Sequence, residues 1–468
     1  MMSQGSPPEA RCPGPSARDI LLADPAPPPA VLLAESPVYL GSDDIAYHEY
    51  TSPDFLADEY EHLWSRTWQW ACRDEHIPEP GDYYVYDIGD RSALIVRGDD
   101  GGIRAFANAC LHRGTQLKPP GSCGFSRSLR CPFHGWTWAL DGRLTEVPAE
   151  WDFPHVAAAD YALPELACGR WGGFVFVNWS DTAPPLDDYL GVLPEHFANW
   201  DLADRYIEAH AQKRLPANWK AAAAAFLEAY HVMETHPQSV RTTGDANTQY
   251  DVFDEHVTRF LQTTATPSPH LADADRPTEQ QMLDLLLARK APDDTIPQLR
   301  DGQTARDGFA RFMQQTMGAR YGRDFSHLST SESIDSIEYF LFPNGFFFRG
   351  LQFSMVYRFR PDGHDPDHCW YDVMMLRPRP PDGRPPDPPN PTVLDVDDSY
   401  AAVPGFSKSL AAVLDQDTSN LAAQTRGFKA SRKPGQTLGN YQEVRTRHLH
   451  DTVKRYIAQG KSELAQSS

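Results

Sequence analysis

Residues 108–117 read NACLHRGTQL and residues 131–144 read CPFHGWTWALDGRL. Each stretch offers one cysteine and one histidine: Cys110 and His112 in the first, Cys131 and His134 in the second, with Arg113 to Arg130 between the pairs. Two thiolates and two imidazoles hold a [2Fe-2S] cluster in which one iron takes both sulfurs and the other both rings. Neutral imidazole in place of thiolate raises the cluster's reduction potential, which suits it to handing single electrons onward. Two Cys and two His also satisfy a structural zinc ion. Zinc ribbons and fingers usually set two cysteines together as Cys-x2-Cys, whereas each loop here mixes the types as Cys-x-His and Cys-x2-His. Gly114 and Gly135, two and one residues after the histidines, let backbone amides turn in close to bridging sulfides.

On these residues the two loops resemble the cluster loops of Rieske non-haem iron oxygenases, the alpha (catalytic) subunits that hydroxylate aromatic rings. The resemblance implies an α+β chain, with an N-terminal all-β Rieske [2Fe-2S] domain and a helix-grip catalytic domain built on a central antiparallel sheet. Length agrees, because 468 residues exceed what one hydrophobic core usually fills. A net charge of -21 argues against nucleic acid or an anionic membrane surface as partner, since both repel it at long range. The other five cysteines are scattered without pairing logic, so a reducing compartment is expected. No basic start is followed by an apolar run, and no stretch is apolar for long enough to span a bilayer, so the expectation is a soluble cytoplasmic protein.

Outward from the cluster loops, the chain divides into four parts. Residues 1–40 are rich in Pro and Ala and are expected to be disordered or draped over the surface. Residues 41–67 contain an amphipathic helix running from Ser52-Pro53 toward Trp70, which packs on the catalytic domain. Residues 68–180 alternate apolar and polar positions between Gly-Asp and Asp-Gly turns, the pattern of short strands, and form the Rieske domain. Residues 185–468 form the mononuclear-iron domain.

Within that last part, Asn218 caps a run, WKAAAAAFLEAYHVMETHP, whose alanines favour a helix thin enough for a sheet to approach. Glu228 and His231 are three apart and share one face. His236 lies five beyond His231, about 500 degrees around at roughly 100 degrees per residue, and would point away if the helix continued. Pro237 disfavours that, so the helix is expected to unwind between Val232 and His236 and bring the second imidazole back. Two histidines and a carboxylate make the facial triad of non-haem iron. Downstream, Leu410, Val413, Leu414, Asp417 and Leu421 share one stripe of a helix ending near Gly427, and a carboxylate in an apolar stripe wants a metal or a buried arginine. Asp415 is off that stripe. Residues 240–330 read as helices and loops only, residues 337–377 as the strand-rich sheet covered by the alanine helix, and residues 378–391 as a proline-rich surface connector.

The same resemblance, in the form YHxxxxHP and at DQDTSNLAAQTRGFKAS, implies that His231, His236 and Asp417 bind a mononuclear Fe(II). It further implies that Glu228 bridges His134 of one chain to His231 of the next in a homotrimer, or in an α3β3 assembly with a small subunit. Ala225 and Val232 would border the substrate pocket. The family often has a polar Asn before the Phe of this helix, where Ala224-Ala225 stand here, so cis-dihydroxylation is not assumed. No dinucleotide fingerprint is present. Electrons would come from an NAD(P)H-dependent reductase, directly or through a ferredoxin, and O2 would be spent on hydroxylating an aromatic or similarly apolar small organic substrate. Oxidative O- or N-demethylation is the alternative. A Rieske electron carrier without oxygenase activity and a zinc-stabilised binding module are two further readings.

Overall fold

Alternation in DYYVYDIGDRSALIVRG folds as the hairpin Asp82–Ile88 and Arg91–Arg97. Gly89 in its turn has φ 55°, and a Cβ there would lie 2.6 Å from the Tyr60 ring, so only glycine fits. The computed structural model describes residues 12, 14–290, 297–380 and 384–467. The hairpin is part of a seven-stranded antiparallel sheet between Gln69–Arg73 and Cys123–Phe125. A three-stranded sheet, Leu129–Arg130, Thr137–Trp138 and Leu144–Glu146, carries the second cluster loop.

Eight strands form the second sheet, in the order Gln249–Val252, Val257–Gln262, Ser336–Leu341, Gly345–Arg349, Met355–Asp362, Asp365–Pro378, Arg205–Leu215 and Thr392–Leu394. All neighbours are antiparallel except the last pair. Alternate side chains serve two cores. Phe340, Phe346, Phe348, Tyr357 and Phe359 join Ala221–Ala223, Leu449 and Val453 on one side. Ile337, Tyr339, Leu341, Phe347 and Val356 join Leu283, Phe309 and Met313 on the other. Both cores continue into the first sheet, through Tyr86, Ile95 and Val177 on one side and Trp70, Phe174 and Phe176 on the other. The fold is α+β, with a β-rich unit followed by a mixed unit.

Four elements differ from the sequence reading. Residues 1–11 and 13 lie outside the described residues, but from Ser16 the N-terminal segment is ordered, with helices Ala17–Ala23 and Ala30–Leu33 burying Ala17, Leu21 and Leu32. Buried side chains satisfy its irregular backbone: Arg259 donates to Val31 O at 2.7 Å and Ala34 O at 2.6 Å, and Asp24 pairs with Arg306. The helix capped by Ser52 ends at Trp64, its last turn widened, and the chain becomes strand at Gln69. Residues 240–330 contain two strands besides the helices Glu279–Lys290 and Ala305–Tyr321. The helix of Asp417, Lys408–Ser419, breaks at Asn420 and resumes as Leu421–Ala430, past Gly427. Part of the proline connector, 381–383, lies outside the described residues.

Candidate metal centres and active site

The first cluster loop follows the strand Ile103–Ala107, and the second joins Leu129–Arg130 to Thr137–Trp138. Both close the same way: Gly114 N donates to Cys110 O at 2.9 Å and Gly135 N to Cys131 O at 3.1 Å, each glycine at positive φ. Cys110 and Cys131 are buried, and burial together with the neighbouring Cys131 pushes the Cys110 thiol up. The His112 and His134 ring centroids are 4.7 Å apart. His112 stacks on Trp136, 5.1 Å away and nearly parallel, which fixes its ring plane. Its Nδ1 is buried without a hydrogen-bond partner, a cost that a metal bond would remove.

The group that does converge is His231, His236 and Asp417, whose ligand atoms lie within 4.8 Å of one another. The alanine helix, Trp219–Ala224, stops earlier than the sequence suggests, at Ala225, and Val232–Thr235 is itself one helical turn. Unwinding falls at residues 226–231 because tertiary partners replace the lost helical bonds. Arg445 donates to Leu227 O at 3.2 Å, Ala229 N donates to Tyr250 Oη at 2.9 Å, and His231 N donates to Glu228 Oε2 at 3.0 Å. Phe226 is drawn among Tyr357, Phe359 and Tyr371.

Both rings are oriented alike. His231 Nδ1 meets Glu228 Oε1 at 2.7 Å and His236 Nδ1 meets Gln416 Oε1 at 2.9 Å, which leaves each Nε2 facing Asp417 Oδ1, at 3.5 and 2.6 Å. Acceptors at Nδ1 hold the proton there and free Nε2 for a metal. Burial opposes charge on His231, yet Asp417 and Glu228 outweigh it and raise the imidazole to about 10. Burial likewise opposes ionisation of Asp417, and hydrogen bonds from His231 and His236 overcome it. Carboxylates that strong would meet the charge of a divalent ion, so the donor set fits Fe(II). Asp415 is engaged elsewhere, accepting from Ser399 Oγ at 2.6 Å and Tyr400 N at 3.1 Å.

One cavity, of about 200 Å3, is lined by Ala225, Glu228, His231, Asp417 and Glu443 among others. A second, of about 370 Å3, is lined by Ser239 and Thr242, a few residues past His236 in the chain, by Val413, one turn before Asp417, and by Arg205. Val232 lines neither of these two and is buried with Ala229, Tyr250, Phe260 and Tyr441. Gln416 and Trp136 were missed by the sequence reading. Gln416 gave no signal, and Trp136 stood within the quoted motif without anything to show that it would stack.

Residues 197–459 match the family of the ring hydroxylating alpha subunit (catalytic domain), and residues 67–157 match the Rieske [2Fe-2S] domain. The chain belongs to the Rieske oxygenase alpha-subunit family. The cofactors of this family are the Rieske [2Fe-2S] cluster and non-haem iron. It is 33% identical over 189 residues to the glycine betaine monooxygenase oxygenase subunit of Chromohalobacter salexigens, covering 40% of this chain and 42% of the relative. With the large oxygenase component of the naphthalene 1,2-dioxygenase system of Pseudomonas putida it shares 34% over 201 residues, 40% and 43% of the two chains. The chain thus spans about two-fifths of the length of the curated relatives it matches. A quaternary ammonium Rieske monooxygenase solved with L-carnitine superposes with TM-score 0.60 at 16% identity, over 88% of this chain and 95% of that one. Naphthalene 1,2-dioxygenase from Rhodococcus sp. bound to indole gives 0.58 at 20%, over 88% and 94%; both establish the Rieske oxygenase fold. Among the described residues, no helix is long and apolar enough to cross a membrane.

Proposed function

We propose that this Rieske oxygenase is the terminal component of a multicomponent system that hydroxylates a small organic substrate with O2, fed by an NAD(P)H-dependent reductase directly or through a ferredoxin. The observation that carries the reading is the convergence of His231, His236 and Asp417 in a chain that also holds the paired Cys-His loops. Cys110, His112, Cys131 and His134 would hold the cluster; His231, His236 and Asp417 would hold the mononuclear iron. When bound, the cluster relays single electrons and the iron activates dioxygen.

The chain's own residues do the rest. Glu228 keeps the His231 proton on Nδ1, and Gln416 does the same for His236. Glu228 is also the residue we assign to carrying the electron between His231 and His134 of a neighbouring chain, in a homotrimer or with a small β subunit. His134 and its neighbour Phe133 are exposed beside the cluster loops, where such a neighbour would dock. The 370 Å3 cavity, walled by Met313, Phe325, Leu351, Phe353 and Met355, favours an aromatic or similarly apolar substrate body. Oxidative demethylation is the second reading, supported by the betaine and carnitine monooxygenase subunits among the relatives.

Metal analysis and labelled dioxygen test this. Holoprotein with about three irons per chain, a reddish-brown cluster spectrum and label in the product is expected. Two irons would leave an electron carrier, and a colourless zinc protein would overturn the reading altogether.

A further inference from the structure

The 370 Å3 cavity is of a size that takes a small molecule. Its walls are largely apolar, with Met313, Phe325, Leu351, Phe353 and Met355 among them, but three arginines, Arg205, Arg320 and Arg377, also line it and, among the described residues, no carboxylate does. Arg320 and Arg377 share Glu208, at 3.1 and 2.7 Å. Arg205 has no such partner among the described residues. It is 6% exposed, its guanidinium lies 3.9 Å from the Trp200 ring centre, and its Nε is buried without an acceptor. Asp204, adjacent in the chain, is held by Arg323 at 2.5 Å. Burial, reinforced by the charge of Arg323, holds Arg205 down at about 9.

A buried cation without a counter-ion is costly, and the stacked indole does not supply a negative charge. Four guanidinium groups, Arg205, Arg320, Arg323 and Arg377, face two carboxylates, Asp204 and Glu208, in a protein whose net charge is -21. This corner of the molecule therefore attracts anions that the rest of the surface repels. At its other end the cavity reaches Ser239, whose N donates to His236 O at 2.7 Å, and Val413 on the helix of Asp417.

We propose that the cavity binds an organic carboxylate whose two oxygens sit on the Arg205 guanidinium and whose apolar body lies along the cavity toward His236 and Asp417. The planar fork of arginine matches a planar carboxylate with two parallel hydrogen bonds. This substrate class rests on the oxygenase reading given above.

The test is calorimetric titration of the metal-loaded full chain with 3-phenylpropionate, 3-phenylpropionamide and 2-phenylethanesulfonate. The carboxylate should bind at least about tenfold more tightly than the amide, as a charge-assisted pair exceeds a neutral one. The difference should vanish in Arg205→Gln, with amide affinity unchanged, and persist in part in Arg205→Lys. Equal binding of acid and amide by the wild-type protein overturns the proposal whether or not a variant folds. A preference intact in Arg205→Gln, or a sulfonate held as tightly as the carboxylate, overturns it too. Iron content and cluster absorbance on the same samples separate the two claims. Three irons without an acid preference sinks this inference alone, whereas an acid preference without the mononuclear iron sinks the oxygenase reading and leaves the anion site standing.

Discussion

Removing one member of the Glu59–Lys220 pair should damage the iron site from a distance. Lys220 Nζ bonds Glu59, both side chains are fully buried, and Trp219 Nε1 donates to the other Glu59 oxygen at 2.8 Å. Trp219 and Lys220 are the first two residues of the helix leading to Glu228 and His231, so this pair ties that helix to the N-terminal helix Pro53–Glu59. Burial dominates at both ends: it raises the Glu59 carboxyl and lowers the Lys220 amine, each more than the partner's charge restores. Glu59→Leu or Lys220→Met therefore leaves an uncompensated buried group and should cost about 3–5 kcal/mol. The double replacement removes both charges and leaves only the Trp219 N–H unsatisfied, about 1–3 kcal/mol. For a chain of 468 residues unfolding as one unit, each kcal/mol moves the melting temperature by about 1 °C. Scanning calorimetry at one fixed scan rate should show each single variant roughly 3–5 °C below wild type and the double closer to it. The single variants should also lose mononuclear iron while keeping the cluster spectrum. A single variant melting within about 1 °C of wild type, or a double whose shift equals the sum of the two, refutes the reasoning.

Asp417→Ala should reduce iron from about three to about two per chain with the cluster absorbance intact, whereas Asp415→Ala should keep all three and cost only the bonds to Ser399 and Tyr400, about 1–2 kcal/mol. The reverse pattern in metal analysis would transfer the ligand role to Asp415. Glu228→Gln should retain both metals and lose turnover, because the neutral amide cannot hold the His231 proton as the carboxylate does. Product formation unchanged at saturating reductase rules that role out. Acid should destabilise the fold well before carboxylates protonate. Burial depresses His448 to about 3 and His196 to about 4, against roughly 6.5 unfolded, so their contribution is complete above 6.5 and shrinks as pH falls toward those values. At pH 5 each costs about 2 kcal/mol, and a melting temperature equal at pH 7.5 and 5 would contradict this.

Which residues could touch a metal was suggested locally. Cys110, His112, Cys131, His134, His231 and His236 sit in short loops and turns, with Pro132, Gly135 and Pro237 directly after three of them, so residue type and spacing pointed to the chemistry. Asp417 stood out because a carboxylate in an apolar stripe needs a partner. The β-rich first unit was legible for a similar reason, since period-two alternation depends only on neighbours in the chain, and the central sheet showed as aromatic-rich runs bounded by Pro-Asn-Gly and Pro-Asp-Gly turns. Tertiary structure decided the rest. The alanine run favours continued helix, and it unwinds at 226–231 because Arg445, Tyr250 and Glu228, distant in sequence or brought round by the turn, take over its hydrogen bonds. The N-terminal segment is poor in local order and is held by Arg259 and Arg306. A pairwise bond spanning two hundred residues leaves no trace in local composition, and the same holds for the unpartnered charge of Arg205, whose lack of a counter-ion exists only once the chain has closed around it.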